Sequence, residues 1–400
     1  MKDTVFKITF RNGETASVSL TPKNDNFDLT IKLSKGHNTL VPLGIPNFEG
    51  VPENATLEFE MTIKENGIDD FTIEFIHNEE VMQSYFSSQQ ALDEVVVTAK
   101  GSGNSPESDT AATKEVQSNY PKGTYTIKWD GFDSKGIYDS TIFTTGKLKA
   151  RVRGRKNGEE KIAETEDFSF EQKIKWLDTK ITKNSKRIDV TLRVNLTDGG
   201  AKGTENECYE LGKSRRAPVI KICPWDKIPK KDLLSSKSHL ETQTKKFEDL
   251  EKLALEGLNY HWGRNEKHHL AKNVDVNGEK YEVFVNAINT TENAMDDVKL
   301  VFNTNGKWLR SMNPGSVSGV ISFFGQVMPE RIVYNYGYMK GENKWYWLGK
   351  NVEDVDGDFS YTSAHEIGHE ILKSFSGKAF HSYKHKASSC LLYTSPSPRD

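Results

Sequence analysis

Between residues 1 and 92 the chain alternates apolar with polar positions at a period of two. Val5-Phe6-Lys7-Ile8-Thr9-Phe10, Phe27-Asp28-Leu29-Thr30-Ile31-Lys32-Leu33, Leu57-Glu58-Phe59-Glu60-Met61 and Phe71-Thr72-Ile73-Glu74-Phe75-Ile76 carry the pattern. Successive side chains of a strand point to opposite faces, so this alternation is the mark of a strand that buries one side. Polar turn formers such as Lys23-Asn24-Asp25-Asn26 separate the runs. The expectation for 1–92 is a β-rich module, a small antiparallel sandwich or barrel. The pattern stops over 93–119, where Gly101-Ser102-Gly103-Asn104-Ser105-Pro106 offers nothing to bury, and a flexible linker is expected. Alternation resumes over 120–175 with Gly123-Thr124-Tyr125-Thr126-Ile127-Lys128-Trp129-Asp130-Gly131 and Leu148-Lys149-Ala150-Arg151-Val152, a second β module.

From 178 onward the order of elements changes. A strand is expected at Ile188-Asp189-Val190-Thr191-Leu192-Arg193-Val194. A helix follows over 241–262, where Phe247, Leu250, Ala254, Leu258 and Trp262 recur every three or four residues. Three further strands are expected at 281–285, 298–302 and 331–336, and a last helix from near Ser360 through Leu372. One sheet with two packed helices makes 178–389 an α+β domain, behind all-β modules in a multidomain chain.

Composition narrows the partners. The 400 residues carry 54 Lys and Arg against 57 Asp and Glu, a net charge of -3, which argues against retention on nucleic acid or anionic lipid by bulk charge. No run approaches the roughly 18 apolar residues of a membrane span. Asp3 and Lys7 interrupt the apolar core that a signal peptide needs, so Sec-type export is not expected. The tail, Cys390-Leu391-Leu392-Tyr393-Thr394-Ser395-Pro396-Ser397-Pro398-Arg399-Asp400, resembles a translated sequencing-library adapter. Residues 390–400 are therefore set aside as an artefact, and the native chain is expected to continue past Ser389, leaving the last domain incomplete. Cys208 and Cys223 remain; two free thiols in a reducing compartment are the expectation, with a pairing across the intervening loop as the alternative.

One motif carries chemistry. The expected last helix reads Ser363-Ala364-His365-Glu366-Ile367-Gly368-His369-Glu370, which contains His-Glu-x-x-His. At about 100° per residue His365 and His369 fall one turn apart on one face, where two imidazoles can hold one Zn²⁺. Glu366 lies beside them, placed to take a proton from a water held there. Chance gives about 0.02 such matches in a chain of this composition, which favours a functional reading over a solvated surface helix.

The third ligand is open. A metzincin would need Gly and His where this chain has Leu372 and Phe375, and no Glu follows Glu370 to serve as a thermolysin-type ligand. The candidates are His385 first, then a residue beyond 389, with His381 behind both. Weaker features read as structure: Asp354-Val355-Asp356-Gly357-Asp358 as a solvated turn rather than a Ca²⁺ loop, His268-His269 as a polar cap, and Lys230-Lys231 and Lys245-Lys246 as surface. Tyr334, Tyr336 and Tyr338 alternate on one expected strand face, for sheet packing or as an oxyanion donor.

Three resemblances add to this reading. The 120–175 segment resembles immunoglobulin-like modules, which implies Trp129 as the plug between two sheets and Asp130-Gly131 as a turn. Leu92-Asp93-Glu94-Val95-Val96-Val97-Thr98-Ala99 resembles a segment of exported Bacteroidetes proteins. The 178–389 region, through 363–372 and Ser382-Tyr383-Lys384-His385-Lys386, resembles zincin metallopeptidases, and especially the metallopeptidase toxin domains of bacterial polymorphic toxins. That resemblance implies a zinc endopeptidase with Glu366 as catalytic residue and His365, His369 and His385 as metal ligands. It also implies a protein or peptide substrate, a secretion apparatus and an immunity protein as partners, and export by a specialised system; otherwise the chain would be cytoplasmic. The competing reading is a non-catalytic structural or adaptor protein of a secretion apparatus or phage tail-like assembly, in which the helix is inert.

Overall fold

The computed structural model describes residues 4–9, 15–20, 27–33, 57–87, 98–99, 120–145, 147–169, 174–212, 219–267, 271–276, 279–313, 330–349 and 352–376. The chain is β-rich and divides into two compact units. One includes Met1–Ile45, Pro52–Lys173 and Thr179–Lys186; the other includes Ile174–Asp178 and Arg187–Asp400.

In the first unit two antiparallel sheets share one core. The first sheet orders its strands Leu29–Leu33, Leu57–Ile63, Gly123–Trp129 and Thr98–Ala99; the second orders Glu159–Glu164, Leu148–Lys156, Asp70–His77 and Glu80–Phe86. The alternation decides which residues face inward. Phe59, Met61, Ile127 and Trp129 from the first sheet and Phe75, Ala150 and Val152 from the second are all buried. Phe59 meets Phe75 with ring centroids 5.2 Å apart, and Trp129 stacks on Phe75 at 4.3 Å with planes only 8° apart. Trp129 satisfies its indole N–H by donating to the Phe132 carbonyl at 2.8 Å. The polar positions of the second sheet form ion pairs instead, Arg151 and Arg153 with Glu74, and Arg155 with Asp70. A short helix, α1 (Ser140–Thr145), follows the strand Ile137–Asp139.

Two expectations are corrected here. Residues 1–92 and 120–175 are not separate modules, because Leu57–Ile63 pairs with Gly123–Trp129 and Asp70–His77 pairs with Leu148–Lys156. Each half supplies strands to both sheets, so neither half alone has a closed core. Alternation reveals which strands are half-buried; it says nothing of which strand sits beside which. Within the expected linker, Thr98 and Ala99 pair with Thr126 and Tyr125.

The second unit is built on the long strand Arg187–Lys202. Its first half, Arg187–Val194, pairs in parallel with Glu279–Asn289, and its second half, from Asn195, pairs in parallel with Asp297–Asn303. The last of these pairs in parallel with Arg331–Asn335. Parallel neighbours need long crossovers, and α2 (Phe247–Trp262) lies in the connection between the first two strands. Leu300, Val301 and Phe302 are consecutive and all buried, as expected of a strand covered on both faces.

The helix α2 starts six residues later than the expected 241. The Asp249 carboxylate accepts the Lys246 amide at 2.9 Å and sets the first turn there. The last helix, α3 (Val352–Ser376), starts earlier than expected. Asp354-Val355-Asp356-Gly357-Asp358 is therefore helical and not a turn; carboxylates are favoured in a helix's first turns by its dipole. Asp356 is also tied down, accepting from Lys245 Nζ and from the Tyr334 hydroxyl, each at 2.7 Å.

The expectation of two free thiols is also corrected. Cys208 and Cys223 form a disulfide. The residues between them include an antiparallel ribbon, Tyr209–Leu211 with Ile220–Ile222, which brings the two cysteines opposite one another; fifteen positions of sequence separation gave no sign of that register. Among the described residues no helix is long and apolar enough to cross a membrane.

Candidate metal centre

The helix α3 is amphipathic in the sense its motif requires. Phe359, Ala364, Ile367 and Ile371 are buried, while His365 and Glu366 are half-buried and His369 is 9% exposed. The imidazoles of His365 and His369 stand next to one another with centroids 4.8 Å apart and planes at 84°. Two rings bound through one nitrogen each to a tetrahedral zinc, at roughly 2.0–2.1 Å, have centroids roughly 5 Å apart. The observed ring separation is of the size that two ligands of one ion require. Glu366 is fixed by its surroundings: its Oε2 accepts the backbone N–H of Asn313 at 3.0 Å. Glu370, 3% exposed, accepts the Asp296 N–H at 3.3 Å.

What holds this helix in place is contact with α2 and with the strand Arg331–Asn335. Trp262 of α2 donates its indole N–H to the Ala364 carbonyl at 3.0 Å, one residue before the motif. Gly257 lies so close to α3 that a Cβ there would sit 2.1 Å from the Ser360 carbonyl oxygen. Backbone is what it would strike, so relief would require the helices to separate. Gly257→Ala is expected to destabilise the second unit by about 1–3 kcal/mol, read as a lower unfolding midpoint in calorimetry. An unchanged midpoint would show that the two helices are not packed this closely.

The tyrosine reading needs correction. The expected single face of Tyr334, Tyr336 and Tyr338 is broken at Gly337, whose φ of 92° ends one strand and begins another, Gly337–Lys340. Tyr334 donates to Asp356 at the base of α3. Burial and that carboxylate push its phenol far above the usual tyrosine range, so the hydroxyl remains a donor. Tyr338 donates to the Lys237 carbonyl at 2.9 Å and accepts the Leu234 N–H at 2.7 Å. Both hydroxyls are taken up by fold contacts, which excludes them as oxyanion donors.

Among the described residues no third His, Cys, Asp or Glu joins His365 and His369 in a metal-binding group. His381 and His385, and likewise His268 and His269, lie outside the described residues. One neighbour was not legible in the sequence. His261, on α2, stands edge-on to Tyr361 with centroids 5.3 Å apart, and Tyr361 lies 6.3 Å from His365. Tyr361 could have been found, being four residues before His365 and thus on the same face; His261 is more than a hundred positions away.

Comparison of the chain with protein-family models, with curated proteins and with solved structures gives no match.

Proposed function

We propose that the second unit is a zincin-like, zinc-dependent endopeptidase of α+β architecture that hydrolyses peptide bonds. The observation that carries the reading is the pair of His365 and His369 imidazoles, edge-on to one another one helical turn apart with centroids 4.8 Å apart, with Glu366 between them in sequence. His365 and His369 would be two ligands, with His385 proposed as the third. Zinc, when bound, polarises the scissile carbonyl and lowers the pKa of water toward about 7. Glu366 takes the proton of the attacking water and delivers it to the departing amine, the two proton transfers of general base and general acid. The Asn313 amide orients the carboxylate for both.

The resemblance to polymorphic-toxin metallopeptidases extends this reading to an exported effector. Its substrate is then a protein or peptide of the recipient cell, with a secretion apparatus and an immunity protein as partners. Metal removal tests the core of the proposal. Hydrolysis of an unfolded protein substrate by the full chain is expected to stop on treatment with a chelator and to return with zinc. Activity indifferent to chelation would contradict the zinc mechanism, and absence of activity from a zinc-loaded full chain would contradict it and favour the inert-helix alternative.

A further inference from the structure

The motif histidines continue a row of rings. Tyr361, His365 and His369 occur at intervals of four on α3, which puts them on one face, each about 40° around from the last. His261 extends the row across to α2. The centroid separations along it are 5.3 Å from His261 to Tyr361, 6.3 Å from Tyr361 to His365 and 4.8 Å from His365 to His369. The His261 ring meets Tyr361 edge-on at 80°, while Tyr361 lies tilted by only 31° to the His365 ring. His365 therefore has a ring on each side along the helix, Tyr361 one turn before it and His369 one turn after.

We propose that Tyr361 is a positioning residue for the His365 imidazole, and that His261 holds Tyr361 in position; the inference rests on the zinc reading above. An imidazole attached by two single bonds can turn its nitrogen away from a metal, and ordering it before binding reduces what the metal must supply. The Tyr361 ring limits that rotation on the side that His369 does not reach. Because α2 and α3 touch at Gly257 and Ser360 and are joined by the Trp262 indole, His261 arrives at Tyr361 on a rigid neighbour. The fold contact between the helices and the geometry of the metal ligand are in this way one arrangement. It involves no hydroxyl chemistry: what acts is the shape of the ring.

The test uses the full chain and Zn²⁺ alone, in competition with a chromophoric chelator, with Co²⁺ absorption as a second readout. Tyr361→Leu, which keeps bulk and helix propensity but removes the planar ring, is expected to raise the zinc Kd about 10–100-fold. It should also alter the Co²⁺ spectrum. Tyr361→Phe is expected to match the parent in both. His261→Ala approaches the same ring from α2 and is expected to weaken zinc binding in the same direction while leaving the metal-free unfolding midpoint within about 2 °C. Unchanged affinity and spectrum in both Tyr361→Leu and His261→Ala would overturn the inference and leave the zinc reading standing. A Tyr361→Phe variant as weak as Tyr361→Leu would overturn it too, by assigning the effect to the hydroxyl. A parent chain that takes up neither metal would overturn the zinc reading itself, and this inference with it.

Discussion

Glu366→Gln is expected to lower the turnover number about 10²–10⁴-fold, the usual contribution of a positioned general base. The substitution is nearly isosteric. A glutamine carbonyl can still accept the Asn313 N–H that Glu366 Oε2 accepts at 3.0 Å, so the Asn313 backbone should stay in place. Neither His365 nor His369 is altered, and zinc affinity should remain within about threefold of the parent, since Glu366 is not proposed as a ligand. Loss of turnover with metal retained separates a proton-transfer role from a structural one. Hydrolysis at the parent rate in this variant would reject Glu366 as the base, and equal loss of zinc would make it a ligand instead.

Trp129→Ala should produce the largest loss of stability, about 3–5 kcal/mol in the first unit, as for other buried aromatic truncations. Trp129 is 1% exposed and stacks on Phe75, a residue of the opposite sheet. Amide hydrogen exchange gives the most informative readout. The strands Leu57–Ile63 and Gly123–Trp129 are paired, so amides of Phe59 and Met61 should lose protection together with that of Ile127. If the segments before and after residue 100 were independent modules, only the later one would respond. Confinement of the effect to 120–175 would contradict the shared sandwich.

These two residues mark what the sequence revealed and what it hid. The period-two runs around Phe59, Phe75 and Ile127 located their strands to within a residue or two, because half-burial leaves a local imprint. Trp129 as the inter-sheet plug came from the resemblance to immunoglobulin-like modules rather than from the period, and its stacking on Phe75 agrees with it. The pairing of strands from either side of a polar stretch was not, since partner choice depends on the whole apolar surface to be covered. In the second unit the non-alternating Leu300-Val301-Phe302 run was found by its apolar character, yet its parallel pairing to Arg187–Lys202 left no local trace. The early start of α3 was hidden behind Asp356-Gly357-Asp358, whose composition suits a turn. Lys245 and Tyr334, both remote in sequence, hold Asp356 in the helix.

The candidate site divides along the same line. His365, Glu366, His369 and Tyr361 lie within nine residues, and helical geometry alone puts three of the rings on one face. His261 and the Asn313 amide come from other elements and depend on the packing of α2 and on the segment alongside Arg331–Asn335.

X-ray absorption at the zinc edge of the loaded full chain, compared with His365→Ala and His369→Ala, bears most directly on whether one ion sits between these two imidazoles. The account expects about one zinc per chain with at least two imidazole nitrogens at roughly 2.0–2.1 Å, each variant losing one of them. Zinc bound with its coordination unchanged in both variants, or not bound at all, would contradict it.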